Sequence, residues 1–134
     1  MRFVKKLFTF ICFIALFMGL STRVSAAELL TNDDFQYKIY KSSDNGKYIS
    51  LEAYLGKSDV LKIPETIDGI PVRTISELEK FSYPQNIKKV IFSKNTVYAY
   101  PQITFSMLSN LESFEVAEDN PTYYAKDGVL FSKY

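Results

Sequence analysis

Between Val72 and Val116, six apolar positions recur at a nearly constant offset. Val72 matches Val97, and Ile75 matches Tyr100. After one extra position in the first copy, Phe81 matches Phe105. Ile87, Val90 and Phe92 then match Leu111, Phe114 and Val116. An earlier half-copy, residues 60–64, places Leu61 and Ile63 at the last two positions. Apolar residues at i, i+3 and i+5 describe a turn into a short strand whose last two apolar side chains share one face. The segment around Phe81 or Phe105 has room for one or two helical turns. Each copy is then a strand plus a return segment. One such unit cannot bury its own apolar face, and stacked units bury each other's, so the spacing predicts a solenoid.

A second pattern precedes the repeats. Phe35, Tyr37 and Ile39 alternate, Asp44-Asn45-Gly46 marks a turn, and Ile49, Leu51, Ala53 and Leu55 alternate again. Period two on both sides of a Gly-containing turn predicts a β-hairpin, which forms an entry unit over residues 27–56. A third follows them: Asn120-Pro121 marks a turn, and Lys126-Asp127-Gly128 separates two further short strands.

Residues 1–26 read as a secretory signal peptide. Arg2, Lys5 and Lys6 give a basic start, residues 7–20 are an apolar run, and Val24-Ser25-Ala26 offers small residues for cleavage after Ala26 or Ala27. As a helix, that run would reach roughly 21 Å at about 1.5 Å per residue, short of the roughly 30 Å of hydrocarbon in a bilayer. Membrane contact is therefore expected only in transit, and the product is expected outside the cell or on its surface.

Cleavage changes the charge. Residues 27–134 carry 12 basic and 15 acidic side chains, a net charge of −3. That leaves no electrostatic basis for binding nucleic acid. Cys12 leaves with the signal, so an exported product without disulfides must rest on its core alone. The chain has no His, which removes Ser-His-Asp and Cys-His chemistry and the commonest metal ligand. Asp33-Asp34 and Glu118-Asp119 are adjacent carboxylates that read as turn residues, because a calcium site needs several oxygens at defined spacing. No catalytic residue, cofactor or metal is predicted.

Three stretches resemble a known family. Residues 60–75, VLKIPETIDGIPVRTI, resemble the first repeat of BspA-like leucine-rich repeat proteins. Residues 97–116, VYAYPQITFSMLSNLESFEV, are similar to that family's body repeat. Residues 120–133, NPTYYAKDGVLFSK, are similar to its hairpin insertion with an Asp-Gly turn. The opening hairpin is also similar to the family's usual entry. Gln85, Ser109, Pro84, Pro101 and Tyr100 depart from the pattern, the two prolines arguing against long helices. The resemblance implies an α/β-type leucine-rich repeat solenoid, strand-rich with short helical or irregular return segments. It comprises about two and a half repeats over residues 57–134. It also implies a non-catalytic secreted or surface protein that binds protein or glycan ligands.

The outward positions of the stacked strands are the candidate binding residues. In-register stacking sets Lys88 beside Glu112 and Ile91 between Lys62 and Glu115, with Lys89 on the same strands. A solvated face with ion pairs worth about 0–1 kcal/mol each is the plainer reading of these charges. Ten Tyr side chains add interface character. Tyr83, Tyr98, Tyr123 and Tyr124 are placed in loops or at strand ends, where an exposed phenol is an effective contact; half-burial against the sheet is the equal alternative, because Tyr is a good strand former. Tyr83 and Tyr98 complete the candidate site.

The hairpin at residues 123–131 is followed only by Ser132, Lys133 and Tyr134, so the chain is expected to be the amino-terminal piece of a longer repeat protein. The alternative is a complete small repeat protein. A sheet this short exposes an edge, which predicts edge-strand self-association. Two other functional readings stay open: a targeting piece of a longer surface protein or enzyme, and a truncated remnant without function.

Overall fold

The computed structural model describes residues 26–76, 86–99 and 105–134. The expected signal segment up to residue 25 and the return segment around Phe81 lie outside the described residues.

The chain begins as an antiparallel meander, β1 (Leu29–Thr31), β2 (Phe35–Lys41) and β3 (Lys47–Tyr54). The expected hairpin is β2–β3. Ile49, Leu51 and Ala53 are fully buried, as their alternation requires. In the turn, Asn45 rather than Gly46 takes the left-handed backbone, with φ 62°. Asn tolerates that region because its short polar side chain bonds locally. Asp44 Oδ1 accepts the Gly46 N–H at 3.1 Å and fixes the turn.

From there the chain alternates between two sheets. It passes through β4 (Val60–Lys62), β5 (Thr66–Ile67) and β6 (Ile70–Ile75), then β7 (Lys89–Phe92), β8 (Tyr98–Ala99) and β9 (Ser113–Val116). One sheet has the order β1-β2-β3-β6-β5, with β8 also paired to β6; β3, β6 and β8 run parallel. The other sheet is β4-β7-β9, wholly parallel. A last hairpin, β10 (Tyr123–Lys126) and β11 (Val129–Ser132), lies against β9. Its turn, Asp127-Gly128, has φ of 52° and 77°, and the β5–β6 turn, Asp68-Gly69, has 51° and 77°. Positive φ at both central residues is the tight hairpin turn that matches strand twist, and Asp-Gly supplies it at low cost.

The two sheets share one core. Ile49, Leu51, Val72 and Ile75 from the first meet Leu61, Ile63, Val90 and Phe92 from the second. Each fully buried aliphatic side chain contributes about 1.5–3 kcal/mol. Phe92 lies at the aromatic centre, 5.9 Å from Phe105, 6.2 Å from Phe114 and 5.4 Å from Tyr123 between ring centroids.

This architecture corrects the expected fold class. A leucine-rich repeat solenoid with helical or irregular returns is not what the structure shows. The described residues contain no α-helix and form a strand-rich fold of mixed and parallel sheets. The return after β4, which precedes the Phe81 segment given room for helical turns, shows why the chain adds strands there. Its β-branched residues Val72, Thr74 and Ile75 favour extended backbone, and an Asp-Gly turn folds the segment into a β5–β6 hairpin that joins the entry sheet. The residues after Phe105 form turns.

Candidate functional site

The apolar spacing fixes one face of the β4-β7-β9 sheet. Leu61, Val90 and Phe114 pair in a row, and Phe92 pairs with Val116. These residues point inward, so the residues between them point outward. Lys62 pairs with Ile91, and Ile91 pairs with Glu115, the register expected from the repeat offset. Val60, Lys89 and Ser113 form the neighbouring row.

The same hydrogen-bond device sets the register at both joints. The Asp59 carbonyl accepts the N–H groups of Lys88 at 2.7 Å and Lys89 at 3.2 Å. The Lys88 carbonyl accepts those of Glu112 at 2.8 Å and Ser113 at 3.2 Å. Lys88 and Glu112 are thus neighbours through the backbone and both are exposed. The ion pair across β7 and β9 is made by Lys89 Nζ and Glu115 Oε1 at 2.6 Å. Both groups are well exposed, so this pair orders the face more than it stabilises the fold.

The row Lys62–Ile91–Glu115 opens at its carboxyl end into a cleft of about 710 Å³. Phe35, Phe92 and Val116 line its apolar part, and Asp34, Lys62, Glu65 and Glu115 its polar part. Lys94 Nζ lies 3.4 Å from Glu65 Oε2. Phe35 is 5.5 Å from the Tyr54 ring. Burial, with the charge of Asp34 adding to it, pushes the Tyr54 phenol up; a hydrogen bond at the Ser58 backbone opposes the shift. Asp44 shifts the other way: its bonds to the Gly46 N–H and the Ser42 hydroxyl hold its carboxyl low.

Tyr98 is 64% exposed but sits in the other sheet, so the structure does not bring it to the Lys62–Ile91–Glu115 row. Tyr83 lies outside the described residues. Tyr123 is not an exposed loop residue; it is buried in β10 and packs on Phe92. Tyr124 is exposed, stacked on Phe131 at 5.2 Å.

What makes this face rigid does not follow from the sequence reading. Asn120, a turn residue by that reading, is completely buried. Its Nδ2 donates to the Ser93 and Thr96 carbonyls at 2.7 and 2.8 Å, and its Oδ1 accepts the Thr122 and Tyr123 N–H groups at 2.9 and 2.8 Å. Asn95 makes a similar backward reach, donating to the Glu65 carbonyl at 2.9 Å. Asn95 follows Phe92, the last inward residue of β7, by three positions, and Asn120 follows Val116, the last of β9, by four. The offsets differ, so the repeat pattern alone does not single them out.

Among the described residues, no three acidic side chains converge to hold a metal ion. No family model, curated protein or solved structure matches the chain.

Proposed function

We propose that the protein is a secreted or cell-surface interaction module, without catalysis of its own, that binds a protein or glycan ligand. One observation supports this reading above the others. The parallel register sets a cation, an apolar side chain and an anion in one row, Lys62–Ile91–Glu115, at the mouth of a 710 Å³ cleft. A rigid sheet offers such a surface without the entropy of ordering a loop. The motif resemblance to BspA-like surface proteins and the signal-like segment, residues 1–26, support the same reading.

The test is binding of the labelled secreted chain to panels of immobilised extracellular proteins and glycans. A saturable ligand should appear, and Ile91→Asp or Glu115→Lys should weaken it at least tenfold, about 1.4 kcal/mol. Equal binding by wild type and both variants would remove this face from the function. No saturable ligand in either panel would sink the reading as a whole.

A further inference from the structure

The last hairpin covers the edges of two sheets at once. The Gly128 carbonyl accepts the Phe114 N–H of β9 at 2.8 Å. The Tyr123 hydroxyl accepts the Ala99 N–H of β8 at 3.2 Å and donates to the Ala99 carbonyl at 3.0 Å. Each bond stands where a further parallel strand would bond. Between the hairpin and β9 lies a groove of about 450 Å³, lined by Phe105, Leu111, Phe114, Val129 and Leu130.

The two edges of the β4-β7-β9 sheet complement each other. The Ser113 and Ala117 N–H groups donate to β7, so the backbone groups of Phe114 and Val116 face the outer edge. On β4, Ile63 donates to the Ile91 carbonyl and Asp59 accepts from Lys89, so Val60 and Lys62 face outward. A β4 strand from another copy therefore fits β9 in the register the sheet already uses, with Leu61 beside Phe114 and Ile63 beside Val116. In that register, Lys62 of the second copy lies beside Glu115, opposite in charge. Pro64 has no N–H and ends the ladder, so each joint is short.

We propose that the β10–β11 hairpin is a displaceable cap over an assembly edge, and that the partner for this edge is a second copy of the chain, adding β4 in parallel to β9. Growth is head to tail. The cap keeps the chain monomeric while it is seated.

The test uses the full chain in analytical ultracentrifugation over a range of concentrations. Tyr123→Phe removes only the hydroxyl. Gly128→Ala places a Cβ 3.0 Å from the Ser113 Cβ at a backbone φ of 77°, and so lifts the turn from β9. Wild type should run as a monomer, and each variant should give a concentration-dependent series of whole multiples of the monomer mass. Adding Lys62→Glu should abolish the series, and adding both Lys62→Glu and Glu115→Lys should restore it. Within one copy, Lys62 and Glu115 are two strand spacings apart, about 9.6 Å, so this rescue reports contact between copies. The proposal is overturned if both folded variants stay monomeric or if wild type assembles equally well. It is also overturned if assembly ignores the Lys62 charge, or if both variants lose the sheet signal in circular dichroism.

Discussion

The Asn120 carboxamide donates to the Ser93 carbonyl at 2.7 Å, joining two distant parts of the chain. With its bonds to Thr96, Thr122 and Tyr123, one side chain ties the turn after β7 to the start of the last hairpin. The Lys133 ammonium also bonds to the Asn120 carbonyl. The β7-β9 face is held from behind by this hub.

Asn120→Ala leaves two carbonyls and two N–H groups without this partner in a buried site. Unmade buried hydrogen bonds cost about 1–3 kcal/mol each, with partial repair by water, so the variant should lose about 3 kcal/mol. For a domain of this size that corresponds to a fall of roughly 12–24 °C in Tm, read by thermal denaturation. A fall of only a few degrees would show that the hub is not structural.

Val90 and Ile91 are adjacent yet face opposite ways. Val90→Asp buries a carboxylate in the core and should leave no folded protein at 25 °C. Ile91→Asp should cost much less, about 1–2 kcal/mol, because its side chain is only half-buried on the outer face. Urea denaturation of the pair checks the face assignment independently of any ligand. Equal destabilisation would mean that the register is wrong.

Asp44 has its carboxyl held low by the Gly46 N–H first and the Ser42 hydroxyl second. A group with a depressed folded pKa supports the fold above its unfolded pKa. That support is lost as pH falls through the folded value. The Gly46 amide resonance should therefore titrate with a midpoint below the usual carboxylate range. In Asp44→Asn the midpoint should vanish. A Gly46 midpoint at or above the usual aspartate value would contradict the bond.

Tyr123→Phe removes two hydrogen bonds from Ala99 and should cost about 1–2 kcal/mol. Amide exchange at Ala99 should accelerate by at least tenfold more than exchange at Leu51, which follows only the change in global stability. Unchanged exchange at Ala99 would show that the hydroxyl does not protect the β8 edge.

The β2–β3 hairpin and the Lys62–Ile91–Glu115 register are legible in the sequence, because period-two alternation and the repeat offset are local or self-repeating signals. The helical returns rest on segment length alone, and length does not separate a helical turn from the non-helical turns found after Phe105. Val72, Thr74 and Ile75, just before the Phe81 segment, carry the strand signal of β6 instead. Local patterns place Asn120 in a turn and Tyr123 in a loop or at a strand end. The burial of both is decided by partners distant in the chain, Ser93, Thr96 and Ala99, which no local pattern reports.

The wholly parallel β4-β7-β9 sheet has a consequence in time. Leu61 meets Val90, and Val90 meets Phe114, partners 29 and 24 positions apart in the chain. The β2–β3 and β10–β11 hairpins close on neighbours and can form in about 1–10 μs. The parallel ladder must first close long loops, so it is expected to set the folding rate. A newly made chain should therefore hold two finished hairpins while the strands between them are still searching. The contact between Asn120 and Ser93 comes only once β7 and β9 have met, which makes its formation a marker of completed folding.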